Sequence, residues 1–168
     1  MEGIQERNNQ GVWNFIFALL YLAVFGLGLW WLTRVNGKLP TSINLFDFTL
    51  IVLATFRLTR LFVYDKITKF VRDWFLDGRE LTTSAGDVLF LREKPLDGPR
   101  RTMADLLSCP WCAGAWFAPL VAFFYFLTPS AWFVILVLAI AGAASFIQVL
   151  SNMLGWRAEY LKREVNKE

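Results

Sequence analysis

The chain has 168 residues, 56% of them hydrophobic and 18% charged, with a formal net charge of +3. A soluble domain of this size sits near ~45–50% apolar and ~25% charged, so the composition excludes an ordinary soluble domain and points to a membrane protein. The positive balance does not imply a nucleic-acid partner, because the basic residues cluster beside apolar runs, as orientation signals do.

Taken in chain order, the first ten residues, MEGIQERNNQ, carry two acids, and no small-residue cleavage pattern follows them. They read as a tail (1–11) and not as a cleavable signal. Crossing ~30 Å of hydrocarbon takes roughly 20 residues of helix. The run Val12–Leu32 meets that length and predicts a first transmembrane helix over 12–33, followed by an outer loop over 34–43. A second apolar run, Leu45–Tyr64, predicts a crossing over 44–65 despite Asp47, Arg57 and Arg60. The runs Cys112–Thr128 and Ala131–Leu154 predict crossings within 106–128, where a short helix precedes the span, and over 131–154, before a tail over 155–168. Trp30, Trp31, Trp116 and Trp156 lie near the borders of these runs, where aromatic rings anchor helices at headgroup level.

If all four runs cross, thirteen Lys and Arg fall on the side of both termini and of segment 65–106, against only Arg34 and Lys38 opposite. The positive-inside rule then puts both termini in the cytoplasm. The expected fold class is an all-α integral membrane protein with four transmembrane helices, an amphipathic interfacial helix and a short cytoplasmic insert.

The interfacial helix is expected over 66–76, in DKITKFVRDWFLDG. Ile67, Phe70, Val71, Trp74 and Phe75 recur at helical spacing, with Lys66, Lys69, Arg72 and Asp73 elsewhere on the wheel. Packing against other protein is the alternative for that apolar face. The insert, 77–105, is punctuated by Gly, Pro, Asp and Ser, and its short apolar stretch DVLFL is compatible with a strand or hairpin at Asp87–Arg92. It bridges two crossings or offers a surface to a partner. Thr102, three residues before Asp105, resembles a capping box that would start a short helix through MADLLS.

Arg57, Arg60 and Tyr64 share one helical face of the second crossing. Arg60 lies roughly 6 Å below Tyr64 and can snorkel to the headgroups, whereas Arg57 is one turn deeper and needs a partner. Asp47 is roughly 15 Å away along the axis and too far to serve. The candidates are the start of the cysteine helix, Gln148 and Asn152, or a lipid phosphate. Arg57 then either holds helices together or binds a ligand or lipid headgroup. In the last crossing, Ala139, Gly142, Ala143 and Ser145 allow close helix approach, and Ser145, Gln148 and Asn152 form a polar line expected to bond another helix. That line is also the only support for a pore or holin-like protein.

The two cysteines, Cys109 and Cys112, stand two residues apart in LLSCPWCAGAWF. Pro110 suits the first turn of a helix that Ser108 or Cys109 would cap. A structural zinc site wants four Cys or His ligands, and with two cysteines and no histidine one chain cannot close it, so no metal or other cofactor is expected. A thiol oxidoreductase would use Cys109 and Cys112 catalytically, since this spacing at a helix start lowers a thiol pKa. A cytosolic setting would instead keep both reduced. The structural alternative packs them at a tight junction, with Trp111 and Trp116 around them.

Two stretches, ATFRLTRLFVYDKI and LLSCPWCAGAWFAPL, together resemble a bacterial and phage membrane family classed as domain of unknown function 1360, which includes sporulation-associated proteins of the YjcA type. The resemblance spans roughly Leu50 to Met153. It rests on R-x-x-R…Y-D at Arg57, Arg60, Tyr64 and Asp65, and on C-x-W-C-x-G-x-W at Cys109, Trp111, Cys112, Gly114 and Trp116. It implies a small integral membrane protein with no known reaction, in which the arginine face and the cysteine turn form one unit at the cytoplasmic border. The first crossing and the stretch Leu81–Arg100 are additions to that core. The expected site residues are therefore Arg57, Arg60, Tyr64, Asp65, Arg72, Trp111 and Trp116, in a non-enzymatic protein that meets the lipid bilayer and either a membrane-protein partner or further copies of itself.

Overall fold

The computed structural model describes residues 2–82 and 88–166, with side chains over 9–80 and 91–166. It is mostly helical. Helix α1 covers Glu2–Asn36 and α2 covers Leu45–Val63; a 3₁₀ turn at Lys66–Thr68 leads into one α-helical turn, α3, at Lys69–Asp73. Strands β1 (Asp77–Thr82) and β2 (Val88–Glu93) form an antiparallel hairpin, with Asp77 opposite Glu93 and Thr82 opposite Val88. Helices α4 (Pro99–Ser108), α5 (Pro110–Leu127) and α6 (Ala131–Val165) complete the chain.

Three helical stretches are long and apolar enough to cross a membrane: Asn9–Asn36, Pro110–Leu127 and Ala131–Val165. Helix α2 is not among them, since Asp47, Arg57 and Arg60 interrupt its 19 residues. Yet α2 is the centre of the bundle, packed along both α6 and α5. It runs parallel to α6, as the approaches of Leu53 to Gly142 and, one turn on, of Arg57 to Ser145 show. Leu50 and Ala54 of α2, Val121 of α5, and Ile135 and Ala139 of α6 make the buried cluster. Ala54, Ala139 and Gly142 put small residues at the α2–α6 seam. Helices in lipid associate through close packing, so small residues at the seam set how near the backbones come.

Helix α1 lies on α5 and runs parallel to it. Pro119 has no N–H to give the Ala115 carbonyl one turn earlier; the Tyr21 hydroxyl donates to that carbonyl at 3.3 Å, and its ring meets Trp116 edge-on at 5.0 Å. At the far end, Asn36 Nδ2 donates to the Phe126 carbonyl at 3.1 Å. At the near end, Gln10 Nε2 donates to Thr102 Oγ1 at 2.8 Å, and Thr102 Oγ1 bonds Asn14 Oδ1 at 3.0 Å. Between these clasps α1 and α5 leave an apolar cleft of about 640 Å³, lined by Phe25, Gly28, Trp116, Pro119 and Phe123 among others.

Several boundaries depart from the sequence reading. The stretches 1–11 and 155–168, expected as tails, are helical over their described parts, 2–11 and 155–165. The second is rich in residues that favour helix, and each continues a long helix already nucleated. The stretch 66–76 is not one amphipathic helix but the 3₁₀ turn followed by α3, because Thr68 and Arg72 turn back onto the end of α2. Helix α4 starts at Pro99, after Gly98 at φ +91°, so Thr102 lies inside the helix; its hydroxyl serves α1, and no capping box forms with Asp105. The strand expected at Asp87–Arg92 corresponds to β2, although Asp87 lies outside the described residues.

Candidate functional site

The site begins where α2 stops. Tyr64 and Asp65 both send their backbone N–H to the Arg60 carbonyl, at 2.9 and 3.1 Å. Asp65 is extended, at φ −71° and ψ 144°, and turns the chain back alongside the helix it has left. A helix end leaves carbonyls without intrahelical partners. Here the Thr68 hydroxyl reaches the Leu61 carbonyl, and Arg72 takes two more carbonyls: Nη1 donates to Phe62 O at 2.7 Å and Nη2 to Asp65 O at 2.8 Å. A guanidinium at the C-terminal end of a helix is also favoured by the helix dipole.

The turn delivers Asp65 to Arg57. Arg57 Nη2 lies 2.9 Å from Asp65 Oδ2, and their side chains are 24% and 25% exposed. Arg57 Nη1 donates to Ser145 Oγ at 3.3 Å, and that hydroxyl donates to the Ala141 carbonyl at 2.8 Å. One guanidinium thus joins α2, α6 and the turn. The sequence reading proposed the cysteine helix, Gln148, Asn152 or a lipid phosphate for Arg57; the partners are Asp65 and Ser145. Gln148 and Asn152, expected to bond another helix, bond each other at 3.0 Å on the exposed side of α6.

Arg60 differs from both neighbours. Its guanidinium lies over the Phe56 ring at 5.9 Å and the Tyr64 ring at 5.4 Å, and no carboxylate pairs with it among the described residues. Farther along, Arg100 clamps the hairpin through Asp77 Oδ1 at 2.9 Å and the Trp74 and Leu76 carbonyls. Arg92 pairs with Asp73. Asp105 receives Lys94 at 2.7 Å and Arg101 at 3.0 Å. Burial works to raise the Asp105 pKa, but hydrogen bonds from Lys94 and Arg101, with their charges, prevail and hold it below its ordinary 3.8.

Cys109 caps α5: its Sγ accepts from the Cys112 N–H at 3.3 Å, and Pro110 occupies the first turn. Both cysteines are free. The Cys109 thiol is held below its ordinary 9.0, foremost by a hydrogen bond from the Cys112 thiol, then by backbone N–H groups and the Lys94 charge, against a smaller effect of burial. The packed junction expected around the pair does not form. Trp111 is 83% exposed, Cys112 is exposed, and Trp116 meets Tyr21 edge-on instead. Contact with the arginine unit runs through the helices, where Gly114 faces Thr59 and Phe62 meets Phe117 at 5.2 Å. Among the described residues, no three His, Cys, Asp or Glu side chains gather as metal ligands would.

A helical bundle with three helices long and apolar enough to cross a membrane is compatible with a small membrane protein. The family described as "Protein of unknown function (DUF1360)" matches residues 50–151, and the chain belongs to it. It is 36% identical to UPF0713 protein YngL of Bacillus subtilis (strain 168) over 107 residues, 63% of this chain and 78% of that one. It is 37% identical to sporulation protein YjcA of the same organism over 109 residues, 64% of this chain and 92% of that one. No solved structure matches. The matched region holds Arg57, Asp65, Arg72 and both cysteines, and leaves out α1.

Proposed function

We propose that the chain is a four-crossing integral protein of the bacterial cell membrane, with both termini cytoplasmic, that acts by lipid contact or partner binding and not by catalysis. The observation that carries this reading is the Arg57–Asp65–Ser145 network with Arg72 capping the same helix end. Arg57 is consumed in holding helices together, which removes one objection to α2 lying in a bilayer. Its place between α5 and α6 supports this too, since a membrane that contains those helices contains α2. Exposed Ile67, Phe70 and Trp74 in the turn after α2 suit an interfacial position. Similarity to a protein named for sporulation makes sporulating cells the first place to look for a partner or a homo-oligomer.

A second reading, thiol–disulfide chemistry at Cys109 and Cys112, draws on the lowered Cys109 pKa and the exposure of Cys112. One experiment separates the two: labelling of intact and permeabilised cells with a membrane-impermeant maleimide, before and after reduction. The first reading expects labelling only after permeabilisation and without reductant. Labelling from outside, and only after reduction, would overturn the topology and make the disulfide reading the leading one.

A further inference from the structure

Among cations, the structure divides the cytoplasmic rim sharply. Every described Lys or Arg of the hairpin, of the loop after it and of α4 has a carboxylate partner. Arg57 has Asp65, and Arg72 is spent on backbone carbonyls. Besides Arg72, three cations between Arg57 and Asp105 are left without an acid among the described residues: Arg60, Lys66 and Lys69. All three fall within ten residues, at the end of α2 and in the turn after it, and both lysines are exposed. The same short stretch displays Ile67, Phe70 and Trp74 at 74%, 56% and 67% exposure. Unpaired basic residues interleaved with exposed apolar ones at the end of a bundle suit a layer that is anionic above and hydrocarbon below.

We propose that this stretch binds the phosphate of an anionic phospholipid headgroup, through Arg60, Lys66 and Lys69, while Ile67, Phe70 and Trp74 enter the glycerol and upper acyl region. The proposal rests on the four-crossing reading, which sets this stretch at the cytoplasmic border. Arg60 is suited to the contact because the Phe56 and Tyr64 rings steady its planar guanidinium and leave its hydrogen-bond donors free to meet phosphate oxygens two at a time. Arg57 has the same chemistry but points inward to Asp65, so it takes no part.

The test compares the full-length chain with Lys66→Gln/Lys69→Gln and with the triple variant that adds Arg60→Gln. Each is extracted in mild detergent, and co-purifying phosphatidylglycerol is quantified by mass spectrometry. Thermal stability is then read with added phosphatidylglycerol, phosphatidylcholine or inorganic phosphate. The wild type is expected to retain phosphatidylglycerol and to be stabilised by it alone, with retention falling about fivefold for each cation removed. The double variant leaves α2 untouched and keeps the test valid should the triple variant fold poorly. Retention equal to wild type in the double variant would overturn the proposal, as would stabilisation by inorganic phosphate matching that by the lipid. Ser130→Cys, made with both native cysteines replaced by Ala, reads the crossings separately. Failure to label it from outside would overturn the topology beneath the proposal, whereas labelling with unchanged lipid retention would overturn the lipid site alone.

Discussion

Gly142 sits where α6 comes closest to α2, and replacing it with Ala tests how tightly the seam is set. A Cβ built there would overlap the Leu53 carbonyl oxygen, with the carbonyl carbon at 3.0 Å and Arg57 Cβ at 3.4 Å. Carbon atoms prefer ~3.5–4.0 Å, and the obstacle is backbone, so no rotamer change relieves it. The two helices must separate or slide. Overpacking of this kind costs ~1–3 kcal/mol, and the upper half of that range is expected because the Arg57–Ser145 bond, less than one turn away along α6, already stands at 3.3 Å and lengthens with the seam. Gly155 gives the opposite sign. On the same helix, a Cβ there meets nothing within 4 Å, so Gly155→Ala gains the helix-propensity difference of up to ~1 kcal/mol. Thermal unfolding in one detergent, followed by fluorescence-detected gel filtration, ranks the set Gly155→Ala, wild type, Gly142→Ala from most to least stable. Equal stability for Gly142→Ala and wild type would refute the close approach of α2 and α6.

Tyr21→Phe is expected to cost about 1 kcal/mol, the worth of one hydrogen bond, by leaving the Ala115 carbonyl unmet. In a Pro119→Ala background the restored N–H serves that carbonyl, so Tyr21→Phe should there cost little; equal costs in both backgrounds, read from melting curves, would disprove the pairing. Arg57→Ala should lower the yield of folded protein in membranes, with a loss of about 2 kcal/mol or more for stranding the acid of a half-buried pair. Asp65→Asn should lose a similar amount, and the double variant less than the sum of the two. Additive losses would separate Arg57 from Asp65.

Those parts of the site that depend on local chemistry were legible in the sequence. Pro110 beside Cys109 marked a helix start, and the capping thiol is there. The spacing of Arg57 and Arg60 announced that the two could not behave alike. What escaped was where the chain goes after Tyr64. Ruling out Asp47 by axial rise was sound for a straight helix, but the same reasoning says nothing about Asp65, which comes back because the helix ends. Arg72 was placed on the wet side of an amphipathic helix; its carbonyl partners, ten and seven residues earlier, exist only once the turn has formed. Strand β1, reading DGRELT, has too little alternation to declare itself and is defined by pairing with β2. Tyr21 gave no signal at all, since its role arises from a proline 98 positions later in another helix.

The division of labour among three arginines explains how a long helix with two arginines in its apolar stretch comes to sit in the middle. A charged residue on a peripheral helix would face lipid over much of its surface, whereas a central helix can turn Arg57 toward a neighbour's hydroxyl and toward an acid delivered by its own returning chain. That solution demands a sharp stop after Val63, and the stop exposes carbonyls that in turn demand Arg72. Arg57, Asp65 and Arg72 are therefore one device: without the cap the turn opens, and without the turn Arg57 has no counter-charge. Arg60 is not needed for any of this, which leaves it free for the proposed lipid contact. The family match, beginning in α2 and ending within α6, encloses the whole device and excludes α1, whose described polar clasps reach only α4 and α5. Loosening α1 should thus leave the arginine junction intact, while breaking the junction should release α2 from α6 and with it the core that both share with α5.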